Sequence, residues 1–243
     1  MTILLNQLNF RRLKRRLRGC CLLVAVGLLL GCGLLIWLSF LWADRAAAQQ
    51  EQPHDVLLVI DNSNSMFETA GAGSDPDLLR IQAARLLVAG LAAASQPAPY
   101  RVGVIFFGGQ AELAAPLTSL ADPVGHRSVV EVLNNPTPLA WTDPAAALEL
   151  TLATLSGGSG SRQTAILLTD GRPEGPTPTT PADPNDQNAR LRSIAGRFAM
   201  AGIPLHIVLL HNPAVTAEPE MAPVVRPLWP DMAAATGGRL YQV

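Results

Sequence analysis

Asp55-Val56-Leu57-Leu58-Val59-Ile60-Asp61-Asn62-Ser63-Asn64-Ser65-Met66 is the stretch that decides the fold of this chain. Its first six residues read as a strand. Five of them are apolar without a break, the pattern of a central parallel strand buried on both faces. The apolar run ends at an acid, and oxygen side chains then recur at every second position: Asp61, Ser63, Ser65. The loop that leaves the carboxyl end of a parallel strand is where open α/β sheets bind ligands. A carboxylate with two hydroxyls is a hard-oxygen set, suited to Mg2+, Mn2+ or Ca2+ rather than to metals that prefer sulfur. Taken alone, the same stretch also reads as a solvated strand-to-helix loop.

Outward from this strand, the pattern alternates. Ser74-Asp75-Pro76-Asp77 predicts a helix opening at Pro76 behind an Asp cap and running to about Ala94. Leu79, Ala83, Leu86, Leu87 and Leu91 supply its apolar face. Tyr100–Phe107 reads as a second strand. Gly108-Gly109 turns the chain, and Ala111–Leu117 returns as an antiparallel edge strand. A short helix covers Val129–Leu133, and Asp143-Pro144 caps and opens another that runs to Gly157. Ala165–Thr169 is a buried strand that again ends at an acid, Asp170. A helix over Asn188–Ala201, a strand over Leu205–Leu210, a short helix from Pro230-Asp231 to Gly237-Gly238 and a last strand over Arg239–Gln242 complete the chain. Strands alternating with helices imply an α/β fold: a doubly wound, mostly parallel sheet with helices on both faces.

Three separated segments now resemble one family. Asp61-x-Ser63-x-Ser65, Thr142 before a helix, and Leu-Leu-Thr-Asp170-Gly look like the motifs of the von Willebrand factor type A (vWA) domain, in the order that family shows. Val-Gly-Val-Ile-Phe-Phe-Gly with Pro116-Leu117-Thr118 resembles its second and third strands. The resemblance covers residues 55–243 and implies a Rossmann-like vWA fold with a metal-ion-dependent adhesion site. It further implies one divalent cation, Mg2+ in the first place, held by Asp61, Ser63, Ser65, Thr142 and Asp170. The two acids would act mostly through water, leaving the ion with excess positive charge. Its open position would then take a carboxylate from a protein partner. Two residues depart from the family: Asn64 and Trp141 stand where glycine is usual. Neither change removes a ligand oxygen, and Asn tolerates a left-handed backbone better than most residues. Trp141 either packs beneath the loop or walls one side of the ion.

Composition bounds the setting. Six of the 18 basic residues lie between Arg11 and Arg18, and all 19 acids lie from Asp44 onward. Residues 44–243 therefore hold 12 basic and 19 acidic side chains, a net charge of −7, which does not suit a nucleic-acid binder. Cys20–Ala43 is 24 residues without a charge. As a helix it would span ~36 Å, enough for a bilayer core of ~30 Å. The chain thus divides into a basic cytoplasmic segment (1–18), a transmembrane signal anchor (19–43), a linker (44–54) and the vWA-like domain (55–243), with the basic cluster inside and the domain outside the cell membrane. A cleaved signal peptide ending near Ala46-Ala47-Ala48 and a lipoprotein built on Leu29-Leu30-Gly31-Cys32 are the other readings of this segment. All three export the domain. Cys20, Cys21 and Cys32 are the only cysteines, so the exported part has no disulfide.

The rival class is an enzyme: a metal-dependent hydrolase or phosphatase with Asp61 at the strand end as nucleophile. No Gly-x-Ser-x-Gly and no P-loop is present, and Ser63 stands where such a phosphatase places a second acid. His206 reads as a satisfied core residue; His211 ends its strand within reach of the site. A binding module, not an enzyme, is expected. Within the proline-rich stretch 213–230, Met221, Arg226 and Trp229 are expected to meet the partner, with core packing as the alternative for Trp229. The chain stops after its final strand, where most members of the family add one more helix. The expectation is a constitutive binder whose uncovered patch is shielded by a partner or by self-association, unless the sequence is a truncated form.

Overall fold

The computed structural model describes residues 52–67, 73–94, 99–157, 161–171, 184–210 and 228–243. The expected membrane span, most of the linker, His211, Met221 and Arg226 lie outside the described residues. No helix among the described residues is long and apolar enough to cross a membrane.

Six strands form one sheet in the order β3-β2-β1-β4-β5-β6. They are β1 (His54–Asp61), β2 (Tyr100–Phe107), β3 (Ala111–Ser119), β4 (Arg162–Thr169), β5 (Leu205–Leu209) and β6 (Leu240–Gln242). All neighbours are parallel except β2 and β3, so the antiparallel edge strand sits where the sequence puts it. Val56–Ile60 of β1 is buried throughout, which stabilises by roughly 2 kcal/mol per side chain. Gly103 of β2 has no room for a side chain: a Cβ there would stand 2.7 Å from Leu57 Cδ1 and 3.0 Å from Ala115 O.

Among the described residues five helices cover the two faces: α1 (Leu79–Ala93), α2 (Pro123–Asn134), α3 (Pro144–Ser156), α4 (Pro184–Ala201) and α5 (Leu228–Ala235). Leu57, Val59, Ile105 and Phe107 pack with Leu148 and Leu152 of α3, Phe198 of α4 and Trp229 of α5. Val56, Leu58, Ile60 and Val104 face the other way, onto Ile81, Ala84 and Val88 of α1 and Val129 and Leu133 of α2. The doubly wound architecture is as expected.

Several local expectations need correction. The first helix opens at Leu79, not Pro76, because Asp75–Leu78 forms a turn and Leu78 takes a left-handed backbone at φ 55°. Asp75 still serves the helix end: Oδ1 accepts from Leu79 N and Oδ2 from Arg80 N. The buried face of α1 is Arg80, Ile81, Ala84 and Val88, whereas Leu79 and Leu86 are exposed. The Val129–Leu133 helix is longer, since Asp122 accepts from Val124 N and Gly125 N and Pro123 opens it. The last helix begins at Leu228 rather than Pro230. Trp229 is fully buried, and its indole N–H donates to Gly171 O at 3.3 Å, so it is a core residue and not a partner contact. His206 is half-buried, and its Nδ1 finds no partner among the described residues, so it is not the satisfied core histidine expected.

Candidate metal centre

The chain leaves β1 toward β2 on one side, and later reaches β4 on the other. The β1/β4 pair is thus a switch point, and its carboxyl end is the natural crevice of such a sheet. Asp61 ends β1, and Asp170 follows Thr169, the last residue of β4.

Asp61, Ser63 and Ser65 come together directly. Asp61 Oδ1 accepts from Ser63 N at 3.0 Å and from Ser63 Oγ at 2.6 Å. Ser63 Oγ and Ser65 Oγ are 3.0 Å apart. Asp61 Oδ2 accepts from Thr169 Oγ1 at 2.6 Å. Asp170 joins through Ser74, which donates to Asp170 Oδ2 at 2.9 Å and to Ser65 O at 3.1 Å. Thr142 lies on the segment before α3, where Leu139 bridges to Ser63 and donates its N–H to Asn62 O. No hydrogen bond ties Thr142 Oγ1 to the other four residues. Four buried polar side-chain atoms lack a partner among the described residues, and Thr142 Oγ1 is the only hydroxyl of the four.

Electrostatics separates Asp61 from its peers. Asp55, Asp75 and Asp143 are equally buried, and each meets an arginine: Arg101, Arg80 and Arg190 at 2.6, 2.8 and 3.1 Å. Among the described residues Asp61 has neutral donors only, with the Asp170 carboxylate close enough to repel it. Burial first and Asp170 second push Asp61 up from 3.8 to about 7, against the hydrogen bonds from Ser63 and Thr169. Two buried carboxyl groups and three hydroxyls, one of them the orphaned Thr142 Oγ1, make a donor set that fits a hard divalent cation. Among the described residues no three His, Cys, Asp or Glu side chains cluster, so a site for a softer, multi-histidine metal is not formed there.

The sequence reading missed the residues that brace this set. Arg80 is 1% exposed and lies beneath the loop. Its Nε donates to Asp61 O at 2.9 Å, Nη2 to Asn62 Oδ1 at 3.0 Å and Nη1 to Asp75 Oδ2 at 2.8 Å, with the guanidinium 4.7 Å from the Phe67 ring centroid. Asn62 Nδ2 passes the connection to Thr137 O at 2.8 Å, on the segment that carries Thr142. Arg190 ties α4 to Asp143, the cap of α3 next to Thr142, and to Glu149. An arginine inside a helix is ordinarily read as a solvated residue, so only burial reveals Arg80. Replacing it with Met strands the Asp75 charge, and we expect a loss of about 3–5 kcal/mol in urea unfolding. Adding Asp75→Asn should recover part of that loss. An R80M chain with the parent's unfolding midpoint would contradict the brace.

A mostly parallel sheet with helices on both faces is the fold of von Willebrand factor type A domains. The model of the family described as "von Willebrand factor type A domain" matches residues 56–172. No curated protein matches the chain. Solved structures with the same fold include an aerotolerance-related membrane protein from Bacteroides fragilis, with 18% identity and a TM-score of 0.51, covering 78% of this chain and 90% of that one. The minor pilin PilB of Streptococcus sanguinis has 16% identity and a TM-score of 0.59, covering 80% of this chain and 57% of the pilin. The pilus adhesin SpaC of Lactobacillus rhamnosus GG has 15% identity and a TM-score of 0.59, covering 80% and 28%. The chain thus spans only part of the pilin and of the adhesin.

Proposed function

We propose that residues 55–243 are an exported, membrane-anchored binding module. It holds one divalent cation, Mg2+ first and Mn2+ or Ca2+ as substitutes, on Ser63, Ser65 and Thr142 with Asp61 and Asp170. Through that ion it takes a carboxylate of a protein partner. The observation that carries this reading is Asp61: a fully buried acid, beside the buried Asp170, that among the described residues meets only neutral donors where Asp55, Asp75 and Asp143 each meet an arginine. A bound cation supplies the missing positive charge and an electrophilic open position for an anion. The vWA fold shared with a pilus adhesin and a minor pilin supports a role in protein–protein interaction. Anchoring through residues 19–43 rests on the uncharged run and the basic cluster before it.

Against a hydrolase stands the state of Asp61. Both of its oxygens accept hydrogen bonds, and no part of it reaches solvent, so it is a poor nucleophile for a phosphate or ester. The test is a pull-down from an envelope extract with the full chain as bait. One protein should be retained in Mg2+ and released by chelator, while generic phosphate and ester substrates are not turned over. Retention that ignores chelator would refute the cation-mediated reading.

A further inference from the structure

Trp141 stands one residue before Thr142 with its backbone at φ 64°, a region that side chains with a Cβ enter at a steric cost. The conformation is imposed by the turn after β2. Gly109 N donates to Ala140 O at 2.6 Å, and Asp143 N to Gly108 O at 2.7 Å. Gly108 approaches so closely that a Cβ there would lie 2.8 Å from Ala140 O and 3.0 Å from Trp141 O. Leu78, the other non-glycine residue at positive φ, has a local return for its strain: its carbonyl accepts the N–H groups of Ile81 and Gln82 at the start of α1. Among the described residues the bonds that hold this turn are made by Ala140 and Asp143, and none by the N–H or carbonyl of Trp141 itself. The residue is 37% exposed, and among the described residues the indole makes no hydrogen bond or ring contact. An aromatic that neither fills the core nor relaxes its backbone suits a contact made with something outside the chain.

Charge says what that contact must supply. The portion from residue 44 carries −7, so its net field disfavours an acidic partner and a bound cation offsets that locally. We propose that Trp141 is the specificity-determining contact of this module. It selects, for the carboxylate at the cation, partners that carry an apolar or aromatic side chain next to that Asp or Glu. The proposal rests on the cation reading above and adds the chemistry of the neighbouring side chain.

The test uses the purified full chain in detergent, with acetate and phenylacetate as probes followed by NMR line broadening in Mg2+ and in chelator. Phenylacetate should bind about tenfold more tightly than acetate, and only with Mg2+ present. Trp141→Ala should reduce phenylacetate to the level of acetate, and Trp141→Phe should keep the preference. Calorimetry of each chain with Mg2+ separates the causes. If the parent takes up no cation, the cation reading itself fails. If the parent takes up the cation and the preference survives in W141A, the role of Trp141 alone is overturned. Loss of the cation from W141A also overturns it, since the effect then belongs to Thr142. A cation-loaded parent that binds neither carboxylate overturns it too. Finally, Trp141→Gly should melt about 2–4 °C above Trp141→Ala, because glycine adopts this φ without strain. Equal melting would remove the argument from backbone strain.

Discussion

Asp170→Ala is expected to weaken cation binding by at least about a hundredfold, roughly 3 kcal/mol, while leaving the sheet intact. Asp170 lies just past the end of β4, so its carboxyl group contributes nothing to strand pairing. Its removal releases Ser74, which keeps a second acceptor in Ser65 O. The cost to folding should be small or even negative, because Asp170 is one of the two causes that raise Asp61. Calorimetry with Mg2+ and Mn2+ should show one site in the parent and none in the variant, and circular dichroism should show the same fold in both. A variant that binds the ion as the parent does would remove Asp170 from the ligand set and weaken the whole assignment.

The second large effect is on pH dependence. Without the ion, the folded state holds Asp61 at about 7 against an ordinary value of 3.8. A raised acid stabilises the fold fully below the unfolded value and loses that contribution as pH climbs through the folded one. The cation-free protein should therefore lose stability between about pH 4 and pH 7, by up to about 4 kcal/mol from this residue. Saturating Mg2+ should flatten or reverse the trend, because the ion binds the ionised acids and its affinity grows over the same window. Asp61→Asn should be more stable than the parent at pH 8 in chelator, and less stable than the parent in Mg2+. Urea unfolding at several pH values, with and without the ion, measures all of this. A cation-free stability that rises from pH 4 to pH 7 would contradict the burial of an unneutralised Asp61.

These two results share one origin: the site is costly to fold without its ion. Asp55 shows the alternative at the other end of the same strand. It accepts both Arg101 Nε and Nη2 at 2.6 Å, and Ser161 Oγ at 2.6 Å, and needs nothing from outside. One strand thus carries near its start an acid that the chain satisfies and ends at one that it does not.

Much of this was determined by local sequence. An unbroken apolar run from Val56 to Ile60 can only be buried on both faces, so β1 had to be central and parallel. Asp143-Pro144 caps and opens α3 because a carboxylate beside free N–H groups and a fixed proline φ act within one turn. Asp122-Pro123 carries the same signal for α2, ahead of the apolar pattern at Val129–Leu133. Asp61 and Asp170 are at strand ends because hydrophobicity stops there. What only tertiary structure decided is which side of each element faces inward. The leucines of α1 suggest one face, yet the helix starts after a left-handed Leu78, buries Arg80 against Asp61 O and turns Leu79 and Leu86 outward. Trp229 has the composition of a contact residue, but α5 lays it on the sheet under Gly171. The strained exposure of Trp141 follows from Gly108 pressing on Ala140 and Trp141, a contact between segments more than 30 residues apart. Periodicity and capping act over one or two turns and are written locally. The rotation of a helix, the pairing of a buried charge and the direction of an aromatic depend on what arrives from elsewhere in the chain.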